Sequence, residues 1–316
     1  MAATLKNIAL VGAGGILGSR TLEALLKHGK HNVNVITRPS SKSEYPSSVN
    51  VKQGDYQDAA FLEAALQGQD VLVSMLGFAG LPDQHAFFHA AAKAGVKYVL
   101  PAEYGAPSGN DAQVKAAPLI QLKRNDHELI ESLGIKWIGV VTNPWIDYCI
   151  RYGVFDINVP EKKATVYTDG APFSTTSMGK VAEGIASLLC LSETEIQKEF
   201  ANNFLYLSSF TLTHPEIFLA ILRVTGTTEA DWQVEKSTTK DLVDEGWRMV
   251  NGGEPAGHFK IVFGAAYTHG LGGDYSELLH NERLGLGEED LETVVKAAVD
   301  AAKPGGFTAG TTLKLK

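Results

Sequence analysis

Val11-Gly12-Ala13-Gly14-Gly15-Ile16-Leu17-Gly18 joins the apolar run Ile8-Ala9-Leu10 to a stretch, Leu17 to Lys27, whose apolar residues recur at helical spacing. A strand that turns directly into a helix through glycines has the geometry of a dinucleotide site. Such a site needs a tight turn, a close approach of backbone to pyrophosphate, and close packing of helix on strand. Gly12, Gly15 and Gly18 keep a GxxGxxG spacing, whereas Leu17 breaks a GxGxxG one. The amides opening the helix then face an anion, which makes Gly12, Gly14, Gly15, Ile16, Leu17 and Gly18 candidate cofactor residues.

Downstream the pattern repeats. Strands are predicted from Val33, Val71, Val96 and Ile135, and helices over Ala59 to Leu66, His85 to Ala94 (stopped by Gly95) and Ala117 to Leu133. Alternation of this kind implies βαβ units and a parallel sheet, an α/β fold of the doubly wound Rossmann type that binds ligands at the carboxyl ends of its strands. After Tyr148 the rhythm becomes irregular. A strand is expected over Ala164 to Tyr167, and helices over Met178 to Leu191, Thr213 to Val224, Thr238 to Asn251 and Asp290 to Ala302. From Asn251 to Gly273 glycines are frequent and no element is assigned, and the Gly- and Thr-rich tail after Pro304 reads as extended or mobile. The division expected is a dinucleotide-binding domain over residues 1–150, with a later return around 164–191, and a smaller substrate-binding cap made mainly of 151–316.

The choice of dinucleotide is made after the second strand. NAD sites usually place an acid there for the ribose 2′-hydroxyl. This chain has Thr37-Arg38-Pro39-Ser40-Ser41-Lys42, with no acid. Arg38 can stack on adenine and pair with a 2′-phosphate through its planar fork, and Lys42 adds a point charge. NADP(H) is therefore the expected cofactor, with Thr37, Arg38 and Lys42 in its site. Leu76, Gly77 and Phe78, at the end of the strand from Val71, are expected on its ribose side.

The 316 residues carry 28 Lys plus Arg against 36 Asp plus Glu, a formal charge of −8 that argues against a nucleic-acid partner. Hydrophobic residues at 44% exclude general disorder. No run approaches a membrane span and the first residues do not read as a secretion signal, so a cytoplasmic protein, monomer or homodimer, is expected. The two cysteines, Cys149 and Cys190, lie in apolar sequence surroundings and are expected to be buried and inert. His214, His258, His269 and His280 show no ligand spacing, so no metal is expected.

The turn G-A-G-G-I-L-G, the Thr37-Arg38 pair, G-D-Y-Q-D from Gly54, and A-A-A-K-A-G-V-K-Y-V-L-P-A-E-Y-G from Ala90 together resemble the NmrA-like group of atypical short-chain dehydrogenases. Within it they are most similar to the isoflavone reductase-like, phenylcoumaran benzylic ether reductase-like branch. The resemblance is dense from Lys6 to Tyr148 and thin beyond, except around Ser174 to Leu189. It implies an NADPH-dependent reductase of small aromatic secondary metabolites, in which the tyrosine of the usual YxxxK pair is missing and the lysine remains. Lys123 stands in that register and Leu119 where the tyrosine would be. The stretch Val141 to Tyr148 is similar to one that lies near the nicotinamide in the family, which puts Asn143 and Pro144 in the cofactor site. Pro144 and Trp145 depart from the residues usual there.

Hydride transfer builds negative charge on the acceptor, and a nearby cation or proton donor stabilises it. Lys123 is the first candidate, to donate a proton, to supply the positive field, or to bond the nicotinamide ribose and so belong to the cofactor site as well; Tyr104, a phenol just past the strand ending at Pro101, is the second. His127, one turn after Lys123, reads as a partly exposed structural histidine, with a proton relay as the alternative, and Glu103 as an acid bonding loop amides. Tyr104, Trp145 and Tyr148 are candidate pocket walls for a flat substrate. In the cap, Phe155, Trp232, Trp247, Phe259 and Phe263 are candidates for a far wall. Two alternatives stay open: a non-catalytic NADP(H)-sensing regulator, and an NADP-dependent isomerase or cyclase without net redox.

Overall fold

The computed structural model describes residues 4–303, apart from the side chains of Phe78 and Ala79; the tail after Pro304 lies outside the described residues. Its first part runs β1 (Asn7–Val11), α1 (Ile16–His28), β2 (Asn32–Thr37), β3 (Asn50–Gln53), α2 (Ala59–Leu66), β4 (Val71–Ser74), α3 (Gln84–Ala94), β5 (Tyr98–Leu100), α4 (Asp111–Ala116), α5 (Gln121–Ser132) and β6 (Lys136–Val141). The second part begins with α6 (Ile146–Tyr152), β7 (Ile157–Asn158), β8 (Lys163–Tyr167) and β9 (Phe173–Thr175). It then passes through α7 (Met178–Leu189), α8 (Glu193–Glu199), β10 (Asn203–Tyr206) and β11 (Phe210–Leu212). The last elements are α9 (His214–Thr225), β12 (Gln233–Ser237), α10 (Thr239–Asn251), α11 (Gly257–Tyr267) and α12 (Leu291–Asp300).

Seven parallel strands form one sheet in the order β3-β2-β1-β4-β5-β6-β10. β1 shows why. Ile8 and Leu10 join a core with Leu17, Leu22 and Leu25 of α1 and Val181 and Ile185 of α7, while Ala9 and Val11 join another with Leu62 of α2, Phe87 and Phe88 of α3 and Ile130 of α5. A strand buried on both faces reads as an unbroken apolar run, as this one does. α3 ends on Gly95, whose φ of 76° is the left-handed cap that stops a helix. The strand order reverses between β1 and β4, so a crevice opens there beyond their carboxyl ends.

The chain returns to this sheet through α7, packed on α1, and through β10, which pairs with β6. Ala164–Tyr167 takes no part in that return, because it lies within the middle strand of a separate sheet, β7-β8-β12. That small sheet shares a core with α6, α9 and α12. The glycine-frequent stretch, to which the sequence assigns no element, contains α11. Gly257, Gly246 and Gly264 are packing glycines: a Cβ on Gly246 would sit 2.8 Å from the Gly257 carbonyl oxygen, and one on Gly264 would run into Val243. Glycine here lets α10 and α11 approach closely. Among the described residues no helix is long and apolar enough to cross a membrane.

His214, at the start of α9, is buried, with its Nε2 2.7 Å from the Phe155 carbonyl. Burial holds its pKa down at about 4, against an ordinary 6.5. Between those values the unfolded chain binds the proton and the folded one does not, so stability falls as pH drops from 6.5 to 4 and levels off below. The loss expected is about 3 kcal/mol. Denaturant midpoints at pH 7 and pH 4 should show it in the wild type, and His214→Gln should flatten that part of the slope.

Cys149 is buried, and burial pushes its thiol well above the ordinary value. Cys190 differs from the expectation. It is only half-buried, and its Sγ lies 3.5 Å from His28 Nδ1 and 3.6 Å from His31 Nε2. The apolar neighbours in sequence belong to the buried face of α7, whereas Cys190 follows its end and meets the end of α1.

Candidate active site

The loops after β1, β4, β5 and β6 meet at the carboxyl edge of the sheet. Gly12 has a φ of 79°, and a Cβ on it would run into the Met75 carbonyl at the end of β4. A Cβ on Gly18 would run into the Gly12 carbonyl, so only glycine lets α1 start this close to β1. Gly18→Ala is therefore expected to cost about 1–3 kcal/mol of stability, read as a lowered midpoint in denaturant. Gly15 caps α1 with no side-chain hydrogen bond, and the first turn carries no acid. The leading amides thus have no competing anion of their own, and Gly14, Gly15 and Ile16 are exposed. Leu17, by contrast, points into the core.

A partner the sequence reading missed lies over this turn. A Cβ on Gly14 would run into the Ser43 side chain and sit 3.3 Å from the Tyr45 hydroxyl oxygen, so the segment after β2 folds back across the glycines. Nothing in its composition signals that contact. Thr37 is buried and its carbonyl accepts from Gly54 N at 3.0 Å. Gln53 Nε2 donates to the carbonyls of Arg38 and Pro39, both at 3.2 Å, which fixes the backbone that presents Arg38. Arg38 and Lys42 are exposed and enter no ion pair among the described residues. Beyond β4, Leu76 is half-buried and Gly77 exposed; the side chain of Phe78 lies outside the described residues.

After β5, Lys123 reaches from α5 into the loop Pro101–Gly105 and beyond. Its Nζ donates to the Glu103 carbonyl at 2.6 Å and to the Ala106 carbonyl at 2.8 Å. Burial of the ammonium pulls its pKa from 10.5 to about 8, partly offset by the Glu103 charge. Leu119 belongs to a 3-10 turn, Pro118–Ile120, rather than to α5. The Tyr104 ring packs on the same core as Tyr45, Trp145 and Tyr148. Its hydroxyl is buried without a partner, and burial together with Glu103 pushes its pKa well up, so the phenol keeps its proton.

His127 is a correction. It is buried, stacked on Trp137 at 3.7 Å and 3°, with Nε2 2.9 Å from Glu103 Oε2. Glu103 in turn directs its carboxylate at this imidazole rather than at loop amides. The partners lie on different elements, so helix periodicity could not reveal them.

After β6, Asn143 takes a φ of 50° and donates from Nδ2 to the Gly273 carbonyl at 2.8 Å, while its Oδ1 is buried without a partner. The Pro144 carbonyl accepts from Thr175 Oγ1 at 2.6 Å. Trp145 Nε1 donates to Thr142 Oγ1 at 3.1 Å, and its ring meets Tyr148 edge-on at 5.8 Å. Of the cap aromatics, Phe155 and Trp232 are buried in the second core, Phe263 packs on Phe155, Phe259 is half-buried and Trp247 is exposed. They form no common wall. A cavity of about 380 Å³ lies instead between α4, α10 and α11, lined by Ala116, Thr239, Val243, Ile261, Ala265 and Leu271 among others. Tyr104, Trp145 and Tyr148 do not line it.

Buried side-chain atoms without a hydrogen-bond partner gather at this edge of the sheet: on Ser74, Glu103, Tyr104, Ser108, Gln113, His127 and Asn143, with others on Arg151, Tyr267 and Asn281. Unmet polar groups of this kind mark places where a ligand or water completes the bonding.

Residues 4–256 match the family model described as the NmrA-like family, and the chain belongs to that family. It is 28% identical over 302 residues to the oxidoreductase aprR of Aspergillus flavus, covering 92% of this chain and 98% of that one. It is 29% identical over 260 residues to the isoflavone reductase homolog IRL of Zea mays, covering 77% and 82% respectively. Among solved structures, that of AtPrR2 with NADP+ and (+)pinoresinol matches with a TM-score of 0.74 at 18% identity, covering 94% of this chain and all (100%) of that one. The doubly wound parallel fold expected from the sequence is thus the fold found.

Proposed function

We propose that the chain is an NADPH-dependent reductase delivering hydride to a small, aromatic acceptor. The observation that carries this reading is Lys123: an ammonium held by two carbonyls on a half-buried side chain, at the carboxyl edge of a sheet whose glycine turn opens a helix with no acid in its first turn. Relatives and fold neighbours that carry oxidoreductase names or hold NADP+ support it.

The residues present fit the dinucleotide. Gly12, Gly14, Gly15 and Gly18 leave backbone rather than side chains at the turn, and the amides opening α1 suit a pyrophosphate. Arg38 and Lys42, free of acidic partners, suit a 2′-phosphate. Thr37, Leu76, Gly77, Asn143 and Pro144 stand on the loops that border this crevice. When bound, the dinucleotide supplies the hydride. Lys123 supplies a positive field that stabilises charge growing on the acceptor, and its Nζ carries the proton nearest the ordinary working pH. Tyr104, kept as a phenol, offers a hydrogen bond toward the acceptor. Trp145 and Tyr148 give flat apolar walls.

NADPH carrying deuterium at both C4 positions tests the hydride step. Transfer of one deuterium to the product is expected, and a product without it would contradict the proposed source. One observation favours the sensor as a second reading: both carbonyl bonds of Lys123 serve the chain's own loop, as in a structural lysine. A regulator would bind NADPH and leave every acceptor unchanged.

A further inference from the structure

α5 grips Glu103 twice. Lys123 takes its main-chain carbonyl at 2.6 Å, and His127, one turn later, faces its carboxylate at 2.9 Å. Both side chains of the Glu103–His127 pair are almost wholly buried, at 3% and 8% exposed. The contact is a close approach rather than an aligned hydrogen bond, so each buried group has the other as its nearest polar neighbour and neither is replaced without consequence for its partner. The surroundings are shaped for the pair. Gly139 on β6 is bare where a Cβ would run into Glu103 Oε1, and the imidazole lies flat on Trp137. The loop is also held from α3, where Gln84 Oε1 accepts from Ala102 N at 2.7 Å.

We propose that the buried Glu103–His127 pair is a positioning device for Lys123: it fixes the loop whose Glu103 and Ala106 carbonyls set the place of the ammonium. This inference rests on the role given to Lys123 above. Neither Glu103 nor His127 acts on the substrate. The other titratable groups around the pair are Asp126 of α5, bonded to Gln84 Nε2 at 2.9 Å and His85 Nε2 at 2.8 Å, and the phenols of Tyr104 and Tyr206. They stay in place in the variants below. Removing the Glu103 charge takes away a negative field that raises the Lys123 pKa, whereas removing His127 leaves that charge and frees the loop.

The test is a titration of the cofactor-free protein carrying lysine labelled at its terminal carbon and nitrogen, followed by nuclear magnetic resonance. One lysine signal absent from Lys123→Met identifies Lys123, and its midpoint is expected at about 8. Glu103→Gln should move that midpoint down. At pH 6 the Lys123 ammonium should give an exchange-protected signal, lost in His127→Gln and weakened in Glu103→Gln. NADPH affinity should stay within about twofold in both variants, and kcat should fall about tenfold, with the double variant no worse than either single one. An unmoved midpoint in Glu103→Gln, or a protected ammonium signal retained in His127→Gln, would overturn the proposal. Should one variant fail to fold, the other still tests it through its own readout. If Lys123→Met keeps full activity, the catalytic reading of Lys123 fails; if it loses activity while both pair variants keep kcat and the lysine signal, only the positioning role fails.

Discussion

Lys123→Met is expected to lower kcat by about 10²–10⁴-fold while leaving the dissociation constant for NADPH within about threefold. Methionine keeps the length and apolar stem of lysine but removes the charge and the proton. An interaction made chiefly in the transition state is lost from kcat, not from ground-state cofactor binding. A signature in pH accompanies it. The lysine must carry its proton to act, and burial has brought its pKa to about 8. Wild-type kcat should therefore fall as pH rises through that value, and the residual rate of Lys123→Met should not follow the same limb. Steady-state kinetics from pH 6 to 10, with cofactor affinity by fluorescence, make the comparison. Equal turnover in the variant would remove Lys123 from the reaction.

Arg38→Glu is expected to weaken NADPH by about 100-fold or more and NADH by only a few-fold. The 2′-phosphate is the one difference between the two dinucleotides. A guanidinium beside it makes charge-assisted, bidentate bonds, and a carboxylate in the same place adds repulsion to their loss. Arg38 is exposed, and its backbone is fixed by Gln53 rather than by its own side chain, so the substitution leaves the fold intact. Isothermal titration with both dinucleotides separates the cases. A parallel loss for NADPH and NADH would contradict the assignment.

The first half of the fold was legible because its signals are local. Glycines at fixed offsets, apolar runs buried on two faces, and a cap at Gly95 are each written in a few consecutive residues. Placement of the site at the carboxyl ends of the strands followed from the alternation of elements. What escaped depends on contacts between distant segments. α11 was hidden because its glycines, Gly257 and Gly264, weaken the helical pattern locally while serving the close approach of α10. The pairing of His127 with Glu103 could not be read from α5, since the carboxylate arrives from another loop through the space left by Gly139. Ser43 over Gly14 was missed for the same reason. The cap aromatics looked alike in sequence, and tertiary packing sent Phe155 and Trp232 to a core and Trp247 to the surface.

The central claim is that this member of the NmrA-like family consumes NADPH to reduce a small aromatic compound. It is tested most directly by incubating the purified protein with NADPH and a panel of aromatic enones, quinones, benzylic ethers and lactols, following the cofactor's absorbance and the mass of each compound together. The expected result is loss of NADPH that depends on one class of compound, with a product heavier by two hydrogens. Tight NADPH binding with no consumption and every compound unchanged would contradict the claim and favour a sensor, and a converted compound with no net loss of NADPH would favour an isomerase.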